Sequence, residues 1–449
     1  MRPMAALADQ PPFALRARLL SPLDGGATLD LADGLLEVDA EGRIVRIGPW
    51  PSAEPPPPAV DLRPLVVLPG LVDLHVHLPQ IPNAGLGSGL DLLSWLDRYI
   101  FPLERAYDRS VADVQAPQAW RAFAAAGTTT VLAYAALWED STDAAFAAAE
   151  AHGIRAVIGK VMMDRITYDT EIDPAQILET SLRQSDELAS RWHGRDAGRL
   201  RYAFTPRFAV SCTFEMLRDS AALAAQHGAY WQTHLSEDAG EIDEVRRLFP
   251  GADDYLDVYD RAGALGPRSI LAHAIHLSDR EVARMVESDT RVAHCPASNL
   301  FLSSGMMPLG AYRTAGMTVG LGSDVAAGPD LSMLGVMRAG AVTQRVLELS
   351  ARADPAAALR PIDWLRLGTL EGARALGMAG QVGSLEVGKE ADLIAVDPRF
   401  TTPLPGDDPP ADADDLASRL IFRPHPNMVR AAWVRGRLLA GPPGLDAIG

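Results

Sequence analysis

Between residues 66 and 325 the chain repeats one pattern eight times: a short run of β-branched and apolar residues, then a longer Ala- and Leu-rich stretch of helical character. The runs are VVLPGLVDLHVH from Val66, TTTVLAYA from Thr128, IRAVIGKVMM from Ile154, LRYAFTPRF from Leu200, YWQTHLSE from Tyr230, SILAHAIHL from Ser269, RVAHCPASN from Arg291 and TVGLGSDV from Thr318. Strands that alternate with helices predict parallel βαβ units, since a parallel pair needs a crossover long enough to hold a helix. Eight such units in about 260 residues predict a closed (β/α)8 barrel. No Gly-rich phosphate-binding turn follows any run, which sets aside an open dinucleotide-binding sheet.

Two flanks lie outside this region and resemble each other. Residues 13 to 48 contain FALRARLL and LLEVDAEGRIVRIG, and residues 384 to 440 contain SLEVGKEADLIAVDP and VRAAWVRGRLLAG; both alternate apolar and polar residues at strand period. Neither flank can build a core alone, so both chain ends are expected to form one small β-sandwich domain. The expected division is 1–65 for the N-terminal part of the sandwich, 66–380 for the barrel and 381–449 for the C-terminal part. Pro-rich PSAEPPPPAV at 51 to 60 and acidic TTPLPGDDPPADADD at 401 to 415 read as linkers, and residues 350 to 378 as helical material joining the barrel to the C-terminal flank.

A net charge of −17 argues against nucleic acid and anionic membrane surfaces as partners. Two cysteines, Cys212 and Cys295, exclude a disulfide framework and any cysteine-rich zinc module. The N-terminal run MRPMAALADQPPFALRAR meets Asp9 and Arg16 before an apolar stretch of signal length develops, so a cytoplasmic location is expected.

Barrel enzymes carry their chemistry at the C-terminal ends of the strands. There His75 and His77 close the first strand two residues apart, a spacing that puts both side chains on one face. His234 ends the fifth strand, His273 lies on the sixth, and Asp324 ends the eighth. A single strand histidine is ordinarily structural, and His152, His193, His227 and His425, in helices and loops, are read so. Separate structural histidines have no reason to gather on one rim. Imidazoles with a carboxylate form a nitrogen and oxygen set suited to Zn²⁺, with Fe²⁺ as the alternative.

In this order, HxH on strand 1, His on strands 5 and 6 and Asp on strand 8, the sequence resembles the amidohydrolase superfamily over nearly its whole length. Members with two metals bridge them with a lysine, usually at the end of strand 4. LRYAFTPRF has none, and the only lysines in the chain are Lys160 and Lys389. The resemblance therefore implies one metal per chain, held by His75, His77, His234 and Asp324, with His273 adjacent. It also implies that Asp324 takes a proton from water and that Glu237, three residues past His234 in HLSED, carries one to a ring nitrogen.

Within the superfamily, the runs HVHLPQ, DLLSWLDRYIFPLERAY, GKVMMD, TPRF, THLSED, AHCPASN, LSSGMMPL and GSDVAAGPDLSML are similar in order and spacing to the guanine deaminase family. That similarity implies purine contacts from Gln80, Arg207 and Phe208, alongside Glu237 and His273, and a homodimer acting on a small molecule. Trp95 falls at helical spacing with Leu92, Leu96 and Tyr99, so core packing is its first reading and a pocket lid its second. Ala274 after the sixth-strand histidine, His276 beyond it, and the glycines of IPNAGLGSG depart from the family pattern and loosen the substrate expectation. The same chemistry on another amino-heterocycle such as a pterin is the alternative, and a non-enzymatic scaffold the remaining one.

Overall fold

A computed structural model describes residues 7–52, 58–168, 172–351, 358–404 and 406–439. Parts of the predicted linkers (53–57 and 405) and of the predicted helical connection (352–357) lie outside them.

Eight parallel strands pair consecutively: β1 (Leu71–His77), β2 (Thr128–Tyr134), β3 (Arg155–Gly159), β4 (Leu200–Pro206), β5 (Tyr230–Leu235), β6 (Ser269–His273), β7 (Arg291–His294) and β8 (Val319–Leu321). The segment that follows β8 returns to β1 through the His77 amide on the Val325 carbonyl (3.1 Å) and the Asp324 amide on the His75 carbonyl (2.8 Å), bringing first and last strands together. Asp73 reinforces this seam. Its carboxylate accepts from the Ser323 amide (2.9 Å) and hydroxyl (2.5 Å), and burial raises its pKa to about 7. Helices cross between the strands, among them Arg109–Ala125, Glu139–His152, Phe214–His227 and Asp279–Glu287. Capping boxes at Asp238 with Glu241 and at Ser278 with Glu281 start two of the helices just after strands and satisfy amides that would otherwise be orphaned.

Leu74, Leu132, Val157, Ala203, Ile270 and Ala293 share one cluster in the barrel with Leu376, Met378 and Val382, from the chain that follows. Tyr230 ties that segment down by donating from its hydroxyl to the Leu376 carbonyl at 2.6 Å.

The chain ends build one seven-stranded sheet, in the order Arg437–Leu438, Val429–Val434, Leu393–Val396, Val60–Pro69, Phe13–Pro22, Thr28–Val38, Ile44–Pro49. Alternation sorts its faces. Leu19, Val67, Leu393, Ala395 and Trp433 form the core of the sheet, whereas Leu20, Val66, Leu68, Ile394, Val396 and Ala432 belong to the cluster of the barrel. At the junction Arg155 is fully buried between Glu390 (2.5 Å) and Asp392 (2.9 Å).

The elements differ from expectation in three places. The run from Val66 is two strands broken at Gly70, and Val66 to Pro69 pair in the end sheet. The third run stops at Lys160, whose buried ammonium donates to the Ser181 hydroxyl at 3.1 Å, and Val161–Met162 then pairs with β4. Inside the C-terminal flank lies a helix, Ala413–Phe422, capped by Asp412, which accepts from the amides of Asp414 and Asp415.

Candidate metal centre and pocket

The strand ends bring five of the expected residues to one point. His77 Nε2 lies 3.3 Å from His75 Nε2 and 3.3 Å from His234 Nε2, while Asp324 Oδ1 lies 3.2 Å from His75 Nε2 and 3.4 Å from His77 Nε2. His273 Nε2 stands 3.8 Å from Asp324 Oδ2 and 3.4 Å from Glu237 Oε2. The backbone is bent to achieve this: His273 and Asp324 sit at φ of 70° and 50°, in the left-handed region that side chains other than glycine adopt at a cost of about 1–2 kcal/mol.

The proton positions follow from the partners. His234 Nδ1 donates to the Arg207 carbonyl (2.6 Å) and His273 Nδ1 to Asn299 Oδ1 (2.8 Å), so both Nε2 atoms carry lone pairs. Burial lowers the pKa of His75, of His234 and of His77, the last to about 4, so the imidazoles are neutral near pH 7. Burial pushes the Asp324 carboxyl up, but His75 and His77 against it reverse the sign and hold it well below the ordinary range. The Nε2 lone pairs of His234 and His273 and the Asp324 carboxylate crowd acceptor atoms into a dry site, an arrangement that a cation among them relieves. The donor set therefore fits a divalent metal, and its mixture of imidazole nitrogen and carboxylate oxygen fits zinc or iron rather than calcium or magnesium.

Glu237 is buried, and desolvation with the charges of Asp324 and Glu241 raises its pKa well above the usual glutamate value. The two carboxyl groups are thus driven in opposite directions, Asp324 toward the ionised form and Glu237 toward the protonated one, a division typical of acid and base roles. Ser298 donates to Asp324 Oδ2 (2.6 Å) and Ser304 to Glu237 Oε1 (3.2 Å).

Beside this cluster a pocket is lined by His77, His234, Glu237 and Asp324 together with Gln80, Arg207 and Phe208, and by the apolar side chains of Leu92, Trp95, Leu96 and Leu302. Phe208 meets His234 edge-on at 6.3 Å between ring centroids. Trp95 is buried, as its first reading expects, and its side chain also lines the pocket. His193 and His227 stay away from the cluster: His193 accepts from the Tyr202 amide, and His227 contacts Asp186. His276 holds the Ser304 carbonyl at 2.8 Å.

Several residues had not been anticipated. Glu104 is fully buried and accepts from both Gln80 (2.7 Å) and Arg207 (2.5 Å). Tyr134 packs its ring 4.6 to 5.1 Å from those of His75, His77 and His234. Asn299, Ser298 and Ser304 lie in and just after the helix Pro296–Phe301, within the AHCPASN and LSSG runs, where no single residue announced a hydrogen-bonding role.

A closed α/β barrel with histidines and an aspartate at its strand ends defines a metal-dependent hydrolase, and the amidohydrolase family model matches residues 66–439. The chain belongs to that family. It is 39% identical over 378 residues to a protein of Deinococcus radiodurans named as a probable guanine deaminase, covering 82% of this chain and 83% of the relative. It is 36% identical over 381 residues to the guanine deaminase of Escherichia coli strain K12, covering 83% and 82%. The solved structure of the E. coli guanine deaminase superposes with a TM-score of 0.88 over 96% of this chain and 100% of the other, at 32% identity. A guanine deaminase from C. acetobutylicum, solved with guanine in its active site, superposes with a TM-score of 0.87 at 28% identity, over 96% and 100%. No helix among the described residues is long and apolar enough to cross a membrane.

Proposed function

We propose that the chain hydrolyses guanine to xanthine and ammonia with one zinc or iron ion held by His75, His77, His234 and Asp324. The observation that carries this reading is one pocket lined both by the hydrogen-bond donors Gln80 and Arg207 and by the carboxyl groups of Asp324 and Glu237, which can exchange protons. Relatives that are guanine deaminases over four fifths of the chain support the choice of substrate.

When bound, the ion supplies Lewis acidity that brings the pKa of water from 15.7 to about 7. Gln80 and Arg207 hold the six-position oxygen of guanine, and Phe208 stacks on the ring, so that C2 faces the cluster. Asp324 accepts a proton from the attacking water at its carboxylate. Glu237 gives its proton from Oε2 to the ring nitrogen beside C2 and is recharged from the water oxygen. His273, whose Nε2 faces both carboxyl groups, orients the water and the departing amine. Oxygen bonds to C2, the exocyclic C–N bond breaks, Asp324 passes its proton to the amine, which leaves as ammonia, and the second water proton restores Glu237. A cytoplasmic homodimer is the proposed setting. The exposed stripe Val342, Val346 and Leu349 on the helix Met333–Ala351 supports an apolar contact between copies.

The test is ammonia release and ultraviolet change over guanine, adenine, pterin and isoxanthopterin, with wild type and Arg207→Lys. Guanine should be used at least ~10⁴-fold better than adenine, whose six-position amine meets donors and which has no amine at C2. The Lys variant should lose guanine use, since a point charge cannot replace the planar fork. Rapid turnover of pterin with negligible guanine activity would move the assignment to pterins.

A further inference from the structure

We infer that Glu104 is a positioning residue that makes the pocket select an oxo group over an amino group, by locking the Gln80 amide as a donor and holding the guanidinium of Arg207 beside it. The inference rests on the proposed reading of the pocket and goes beyond it to the origin of its selectivity.

Glu104 lies on the short helix Phe101–Arg105, in the long connection after β1, and no part of it reaches solvent. One carboxylate oxygen receives the Gln80 side-chain nitrogen at 2.7 Å, and the other receives Arg207 Nη1 at 2.5 Å. A carboxylate carries no hydrogen to give, so the amide must turn its nitrogen toward it. Gln80 Oε1 in turn accepts from the Ala326 backbone N–H at 3.4 Å. Reversing the amide would set its oxygen against a carboxylate and its NH₂ against an N–H, two repulsive contacts at once. The orientation is thus imposed from both ends.

What remains for a ligand is the second N–H of Gln80 and the unused N–H groups of Arg207, whose side chains both line the pocket. Both offer hydrogens. A heterocycle that presents an oxygen there completes these bonds. One that presents an amine brings hydrogen against hydrogen and leaves buried donors unpaired, a mismatch that sites built this way reject by about 10⁴-fold. Glu104 also neutralises the guanidinium, so the pair holds an uncharged ring without demanding an anion. Gln80 and Arg207 follow different strands, and the two oxygens of Glu104 join them.

The test compares guanine with 2,6-diaminopurine, which keeps the C2 amine but carries an amine in place of the six-position oxygen. The readout is the ratio of kcat/KM for the two in the metal-loaded enzyme. The ratio matters more than either rate, because Glu104 Oε1 also lies 4.0 Å from His77 Nδ1, and an effect through the metal would slow both substrates alike. Glu104→Gln can give an N–H to a reversed Gln80, which frees an acceptor for the substrate. It should narrow the preference for guanine by ~10-fold or more, with KM for guanine rising more than kcat falls. If that variant does not fold, Glu104→Asp keeps the buried charge but cannot reach both partners, and the same relaxation is required of it. An unchanged ratio in a folded variant overturns the inference. A wild type that uses pterin and not guanine overturns the substrate reading instead, and the inference is then decided by the ratio of pterin to 2,4-diaminopteridine, which differ by the same exchange of oxygen for amine.

Discussion

Glu237→Gln separates proton transfer from everything else the site does. Oε1 of Glu237 accepts from Ser304 at 3.2 Å, and Oε2 lies 3.4 Å from a His273 Nε2 that makes no hydrogen bond of its own. Glutamine has the same shape, can accept from Ser304 through its oxygen and can give an N–H to His273. Burial already favours the uncharged form of Glu237, so replacing it with a neutral amide removes no stabilising charge, and stability should change by less than about 1 kcal/mol. Metal content should be unchanged, because Glu237 is not one of the converging donors. The rate is another matter: an amide cannot shuttle a proton, and general acid-base work contributes typically ~10²- to 10⁴-fold, or about 2.7–5.4 kcal/mol at 1.36 kcal/mol per decade. The assay is steady-state guanine turnover beside elemental analysis and thermal unfolding of the same preparation. A metal-replete, normally stable variant with kcat within tenfold of wild type would refute the role assigned to Glu237.

Elemental analysis of the purified enzyme should find about one zinc or iron per chain, and His234→Ala should lose both metal and activity; two equivalents would break the mononuclear argument. Asn299→Leu leaves every donor in place but frees the His273 ring from its 2.8 Å anchor, so the metal should stay while kcat falls by about 10- to 100-fold, the usual scale for groups that orient a functional imidazole. Arg155→Met takes from the buried Asp392 its guanidinium partner and from Glu390 one of its arginines, and should cost about 3–5 kcal/mol in denaturant unfolding at pH 7. Burial raises the Glu390 carboxyl, yet Arg155 and Arg435 hold it below the ordinary glutamate range. Its contribution is therefore complete above the unfolded value near pH 4.3 and fades as pH falls through the depressed folded one, so the gap between wild type and variant should narrow on acidification.

Barrel strands were legible because a parallel strand buried on both faces reads as an unbroken apolar run, and the starts of β2, β4, β5, β6 and β7 fall where those runs begin. The same property hid the break at Gly70. Val66 to Leu68 are as buried in the end sheet as Leu71 to Leu74 are in the barrel, so hydrophobicity does not change across the joint; only the change of pairing partner marks it. The helix Ala413–Phe422 was hidden differently. Its buried positions Leu416, Ala417, Leu420 and Ile421 follow helical spacing, and Asp412 is a good cap, but the acidic run before them resembles a solvated loop and the strands on either side set a β expectation.

The candidate site divides along the same physical line. His75, His77, His234, His273 and Asp324 stand on or beside strand ends, and a strand fixes where its side chains point, so a two-residue spacing or a terminal position already states a direction in space. Glu104, Asn299 and Ser304 come from short helices and loops, where sequence position carries no such information. In FPLERAY, Glu104 is flanked by Arg105 and reads as one half of a surface pair. The fold instead buries it completely, and what makes it informative is the absence of any solvent to stabilise its charge: a buried carboxylate must be paired, and its partners turn out to be the two side chains expected to hold the substrate. The strand ends thus state the chemistry of the reaction in one dimension. The choice among substrates is written in contacts between loops that no spacing rule reaches, and this is why the guanine assignment depends on Gln80, Arg207 and their shared carboxylate rather than on the metal cluster.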